Sequence, residues 1–312
     1  MLFLSNVVLL IETPEFRMSQ SRTFSLTLLA MIAFAGNSLL CRQALKQTGI
    51  DAASFTSVRI LSGALVLWLI TQWRGGRHFS AGSWPSALAL FVYAAGFSYA
   101  YLTLSAATGA LLLFGAVQST MIGHGLWRGE RFHARQSAGL VLAFAGLGVL
   151  LLPGLSAPPL FGSLLMLAAG VAWGVYCLRG KGAIEPTSVT AGNFLRAVPM
   201  ALLVSALTHP QQALPPAGIW YGVCSGALAS GLGYAVWYMA LRGLKATSAA
   251  TVQLSVPPLA ALGAVVFLGE AVTFRLLCAS VAILGGIALV IVKNAAPVPA
   301  TATTSSPRHC KN

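Results

Sequence analysis

The chain has 312 residues, of which 57% are apolar and only 8% charged, with a mean hydropathy of +0.79. A soluble domain carries about 25% charged residues, so this composition excludes a water-soluble enzyme, a nucleic-acid-binding domain and a disordered chain. The net charge of +13 sits in short loops between apolar runs, where membrane topology explains it better than nucleic acid does.

Crossing a hydrocarbon core of roughly 30 Å takes about 20 helical residues. Ten apolar runs of that size follow one another, at 24–41, 54–73, 84–104, 106–126, 136–152, 160–178, 190–207, 219–240, 246–268 and 272–292. The third and fourth are separated by almost nothing polar, which predicts a tight hairpin. Residues 1–21 form an N-terminal extension; its apolar start, Met1–Ile11, lacks the basic region and cleavage site of a signal peptide, and Met18 offers an alternative start. Residues 294–312, rich in Ala, Pro, Thr and Ser, read as a disordered tail. The five cysteines have no ligand spacing and read as small packing residues, with neither a disulfide frame nor a metal site.

With the N-terminus placed in the cytoplasm, fourteen lysines and arginines of the loops and tails fall inside and three, Arg42, Lys46 and Arg275, fall outside. That asymmetry predicts that both termini are cytoplasmic.

The two halves resemble each other at a nearly fixed offset. At 137 residues, Arg59 meets Arg196, Gly96 meets Gly233 and Tyr101 meets Tyr238; at 140, Gly129-Glu130 meets Gly269-Glu270 and Gly146 meets Gly286. The expected units are residues 22–153 and 158–293, each with five spans. An odd span number makes the second copy cross the membrane in the opposite sense. The expected fold is an all-α membrane protein of ten transmembrane helices, built as two inverted five-helix repeats. Such repeats place a substrate site near the midplane between them and permit alternating access.

These features make the chain resemble the EamA branch of the drug/metabolite transporter superfamily, over about residues 22–292. The resemblance rests on the paired repeat, on Leu268-Gly269-Glu270 and its counterpart Arg128-Gly129-Glu130, on the aromatic third span Tyr93–Tyr101 and on Pro257-Pro258. It implies a multi-pass protein of the bacterial inner membrane that exports small metabolites, with amino acids, aromatic ones included, a recurring class. Drugs or nucleotide sugars are the alternative cargo, and an intramembrane enzyme the alternative of another class.

Polar side chains inside spans usually face the bundle interior or a cavity. Arg59 and Arg196, symmetry mates, each follow a polar residue by one turn (Thr56 and Asn193) and read either as cavity or gate residues or as snorkelling cations. Tyr93, Phe97 and Tyr101 form one stripe of the third span, and Ser230, Tyr234 and Tyr238 its mate in the eighth; both read as packing or as cavity lining. Gln118 lies near the middle of the fourth span and His124 near its end. In the ninth, Gln253, Ser255, Pro257 and Pro258 predict a helix that bends or opens there, with freed carbonyls facing the path. Asn37, Trp173 and Tyr176 complete the candidate path. Small residues on the fifth and tenth spans, Gly139, Ala143 and Gly146 with Ala279, Ala282 and Gly286, predict close helix packing in the bundle or against a weak homodimer partner.

All six acids fall in loops or tails, so no carboxylate within a span is available for proton coupling, and His124 is the one histidine in a span. No phosphate-binding GxxxxGK[ST] run is present, and no catalytic constellation, cofactor or metal site is expected.

Overall fold

A computed structural model of the chain describes residues 19–73, 81–129, 134–152, 157–180, 183, 185–208, 214–242, 244 and 252–291. The N-terminal extension, the C-terminal tail, Glu130 and the start of the ninth span at 246–251 lie outside the described residues.

Among the described residues ten rods follow in order: α1 (Gln20–Gln47), α2 (Ala52–Trp73), α3 (Trp84–Tyr101), α4 (Ala106–Trp127), α5 (Ala134–Leu151), α6 (Leu160–Gly180), α7 (Pro186–Thr208), α8, α9 (Val256–Leu268) and α10 (Phe274–Ile291). α8 is continuous but composite: Pro216–Val223 and Gly233–Arg242 are α-helical, and Cys224–Leu232 between them is a π-helix. Seven rods are long and apolar enough to cross a membrane; α9 and α10 are shorter apolar helices. Phe24, Val141, Phe267 and Phe274 stand exposed on the outside of the bundle, a surface that suits lipid and not water.

The helix ends follow local chemistry. Ser19, Ser83 and Ser105 cap α1, α3 and α4, each side-chain oxygen accepting from a backbone N–H three residues on, and Asp51 does the same for α2 through Ser54. Gly129 (φ 92°) and Gly269 (φ 63°), symmetry mates in the sequence, both follow their helices in the left-handed conformation that glycine adopts without penalty. After α9, the Glu270 N–H returns to the Ala264 carbonyl, completing the helix terminus. In the second repeat the Gly-Glu pair is thus a helix stop followed by an acid, Glu270, held at a fixed place.

Packing pairs the repeats reciprocally. α1 packs on α8 and α9 of the second repeat, and α6 packs on α3 and α4 of the first; α2 packs on α7, and α5 on α10. Exchanging the repeats maps this set onto itself. The seam of α5 and α10 uses the small residues singled out above: a side chain at Gly139 would meet the Gly286 carbonyl at 2.6 Å, and one at Gly146 would meet Ala282 at 2.7 Å.

Two expectations need correction. α3 and α4 are joined by a short turn at residues 102–105, yet they touch little along their lengths, because α6 packs against both. The ninth span opens beside its prolines, as a new helix start and not as a bend within one helix. The chain turns at Leu254 and Ser255, and Pro257 and Pro258 fall in the first turn of α9. There a missing N–H costs nothing and the fixed φ suits helix initiation.

Candidate functional site

α1, α2, α3, α6, α7 and α8 converge on an aromatic cluster centred on Trp173. Its ring lies 4.8 Å from both Tyr93 and Tyr234, stacks on Tyr176 at 5.3 Å, and meets Phe34 edge-on at 6.5 Å. Phe97 extends the cluster to Tyr101 at 4.7 Å, and Phe194 joins Tyr234 at 5.9 Å. Tilted and edge-on ring pairs of this kind hold a packed arrangement beyond their area burial.

Within the cluster lies a cavity of about 20 Å³, lined by Phe34, Asn37, Tyr93, Phe97, Trp173 and Tyr234 with Leu113 and Phe114 of α4. It has room for about one water, against ~300–1,000 Å³ for a usual ligand pocket. A metabolite therefore does not fit the cavity without movement of its walls. A larger void of about 300 Å³ lies between α4, α5, α6 and α10. Its walls are apolar apart from Ser119 and Thr120, whose hydroxyls bond their own helix at Gly115 and Ala116. The small cavity is where polar groups converge, and it is the functional candidate.

Arg59 supplies the charge. It is 2% exposed. Its Nε donates to the Ser230 hydroxyl at 3.2 Å and its Nη2 to the Tyr93 hydroxyl at 2.9 Å. Its guanidinium carbon lies 4.8 Å from the Phe97 ring centre and 5.1 Å from that of Tyr93, in range for cation–π attraction. Nη1 is buried with no hydrogen-bond partner among the described residues.

Two further polar links cross the chamber. Asn37 donates to the Tyr93 hydroxyl at 3.4 Å and accepts from Ser225 at 2.6 Å. Ser225 and Ser230 both belong to the π-helical part of α8, which brings them toward α1 and α2; such wide turns often mark functional sites. The close approach there is possible because Gly226 lacks a side chain, which would overlap the Arg59 carbonyl.

Of the candidate path residues, Asn37, Tyr93, Phe97, Trp173 and Tyr234 line this cavity, and Arg59 with its partner Ser230 adjoins it through the side chains of Tyr93 and Phe97. Tyr101 lies at one end, its hydroxyl bonded to the Ala106 carbonyl at 3.3 Å. Tyr176 and Asn193 lie on another side, bonded to each other at 3.5 Å, and Tyr238 lies beside Gly180. Other candidates stand apart. Arg196 is half-buried and donates to the carbonyls of Ala81 and Gly192, tying α7 to the start of α3. Gln118 and Gln253, both buried, link α4 to the turn before α9 at 3.5 Å. His124 is half-buried near the end of α4, with Trp127 as its ring neighbour at 6.3 Å. Ser255 is exposed and its hydroxyl folds back on the Val252 carbonyl; Pro258 is exposed and Pro257 buried in packing.

The polar partners expected for the arginines are otherwise engaged. Thr56 bonds the Ala52 carbonyl and Ser98, and Asn193 accepts from the Ser83 N–H. Phe34, Phe194 and Ser225 join the site without having stood out in the sequence. Phe34 had a readable signal, standing three residues before Asn37 on the same helical face. Among the described residues no group of three or more His, Cys, Asp or Glu is placed to hold a metal.

Fold and site together define a membrane protein of two inverted five-helix repeats with a central aromatic chamber between them. Residues 22–152 and again 160–292 match the EamA-like transporter family. The chain belongs to that family and is a membrane transporter. It is 58% identical to an uncharacterized protein, PA1977, of Pseudomonas aeruginosa, over 88% of this chain and 96% of that one. It is 29% identical to an uncharacterized transporter of Archaeoglobus fulgidus, over 88% and 98%. It is 33% identical to the threonine/homoserine exporter RhtA of Salmonella typhimurium, over 49% of this chain and 54% of the relative. A crystal structure of a protein 22% identical superposes with a TM-score of 0.63, over 87% of this chain and 98% of that one, a likeness of fold.

Proposed function

We propose that the chain exports small zwitterionic metabolites, amino acids foremost, across the inner membrane by alternating access, with both termini in the cytoplasm. The observation that carries this reading is the chamber itself: rings of Phe34, Tyr93, Phe97, Trp173 and Tyr234 around a small cavity at the meeting of the two repeats, with the buried Arg59 guanidinium set against two of them, Tyr93 and Phe97. Apolar walls with a few convergent polar groups are what a small-molecule site requires. The likeness to an exporter of threonine and homoserine over half its length supports the amino-acid class, and the charge asymmetry of the loops supports the orientation.

Opposed movement of the repeats enlarges the chamber and opens it to each side in turn. The test is counterflow: the purified chain in liposomes loaded with unlabelled amino acid takes up the labelled one above empty liposomes, saturably and for at least one member of a full amino-acid panel. A panel with no saturable uptake sinks the reading.

A further inference from the structure

We propose that Arg59 is the anchor for the carboxylate of the transported substrate. The inference rests on the reading of the chain as a metabolite exporter and names the recognition chemistry of its chamber.

Arginine stays protonated in any protein environment, and an ion removed from water is costly unless another charge or a full set of acceptors replaces the lost hydration. Arg59 is 2% exposed, and two hydroxyl oxygens and two ring faces are its partners. No carboxylate reaches it among the described residues. The one ion pair among them joins Arg42 to Glu270 elsewhere, and Asp51 accepts from Ser54 at the start of α2, two turns before Arg59. The guanidinium fork is thus held by two of its nitrogens, Nε and Nη2, while Nη1 is buried with no hydrogen-bond partner among the described residues.

A fork with one nitrogen open is suited to a carboxylate, which accepts charge-assisted bonds from adjacent N–H groups. The location fits as well. Tyr93 and Phe97, whose rings lie against the guanidinium, are also walls of the central cavity. Inheritance from the duplication does not explain the buried charge. Its symmetry mate Arg196 is half-buried and satisfied by backbone carbonyls.

No acid stands ready for an ammonium group on the other side of the chamber among the described residues. That end of a substrate meets the faces of Trp173 and Tyr234 and the amide of Asn37, which attract a cation weakly by comparison. The site therefore selects for the acid group first and tolerates loss of the amine.

The experiment uses matched pairs in the counterflow assay, with ligand-induced thermal protection of the purified chain as a second readout. One pair is an amino acid and its amide; the other is the corresponding 2-keto acid and its amide. In the wild type each acid is expected to compete at least about tenfold better than its amide. In Arg59→Gln, with folding checked by size exclusion and melting, that preference is expected to fall to about unity. If Arg59→Gln does not fold, Arg59→Lys is read in its place, with reduced but not abolished preference expected from a point charge without the fork. Equal competition by acids and amides in the wild type overturns the anchor, as does undiminished preference in a folded Arg59 variant. The broader reading fails differently: keto acids preferred over their amides with no amino acid competing keeps the anchor and removes amino acids as cargo.

Discussion

Arg42 Nε donates to Glu270 Oε1 at 2.9 Å, joining the C-terminal part of α1 to the acid that follows α9. The other Glu270 oxygen accepts the Ala106 N–H at 2.8 Å, so it also satisfies the first turn of α4. Arg42 Nη1 meanwhile bonds the Tyr101 carbonyl at 2.8 Å. One ion pair therefore ties four helices at the end of the chamber that Tyr101 closes. Cys41, adjacent in sequence, is completely buried. With Cys41 as the sole cysteine, Glu270→Ala is expected to expose it to a maleimide that leaves the wild type unlabelled. The pair is part-buried and Glu270 also holds the Ala106 N–H, so a lower melting temperature should accompany the labelling. Unchanged labelling would mean that the pair does not hold this end shut.

The chamber's polar links give a second expectation. Tyr93→Phe removes the acceptor for both Arg59 Nη2 and Asn37 Nδ2 while keeping the ring. Leaving buried donors unpaired costs about 1–3 kcal/mol each. A chemical unfolding curve should record that loss, and counterflow should fall more than in Tyr99→Phe on the same helix. Equal behaviour of the two variants would reduce Tyr93 to packing.

Two glycines make a matched pair. A methyl at Gly226 would overlap the Arg59 carbonyl, whereas nothing lies within 4 Å of one at Gly36. Gly226→Ala is expected to cost about 3 kcal/mol or more through overpacking, and Gly36→Ala to change stability by less than about 1 kcal/mol. Comparable melting of both variants would contradict the close α2–α8 contact.

Proton coupling is open to a direct test. His124 stands away from the chamber, beside Trp127, so His124→Gln should leave downhill transport intact and pH-gradient dependence unchanged. Uphill accumulation driven by a pH gradient in the wild type, lost in His124→Gln, would make this imidazole the coupling group.

Orientation is tested by reporter fusions. Those at Ala81 and Gly182 should score cytoplasmic, and those at Ala157 and Gln211 should score on the opposite side. Any exchange between the two pairs would overturn the orientation assigned from the loop charges, and the inverted relation of the repeats with it.

The spans and the repeat were legible because apolar runs of membrane length and a Gly-Glu pair recurring at 140 residues are one-dimensional signals. The stripe Tyr93, Phe97 and Tyr101 was legible for the same reason, through helical periodicity. What a single helix does not encode is its neighbour. Spacing put Thr56 beneath Arg59, but a threonine in a helix bonds its own turn, as Thr56 does at Ala52. The repeat made Arg59 and Arg196 equivalents; only the packing of α3, α7 and α8 separates a buried guanidinium from a rim one. The π-helical turn of α8 has no sequence signature beyond its small residues, and Pro257-Pro258 opens a helix where the run length suggested a helix interior.

Reciprocal packing bears on how the chain is made. Ser230, a hydrogen-bond partner of the Arg59 guanidinium, lies 171 residues further on, so α2 enters the bilayer long before α8 has been synthesised. Through that interval Tyr93 can reach the cation but Ser230 does not yet exist, and α1 lacks the helices that cover it. The first repeat is an unfinished surface during translation, which favours retention by the insertion machinery until the second repeat arrives. Expressed alone, either half should be degraded, and the two halves expressed together should rescue each other.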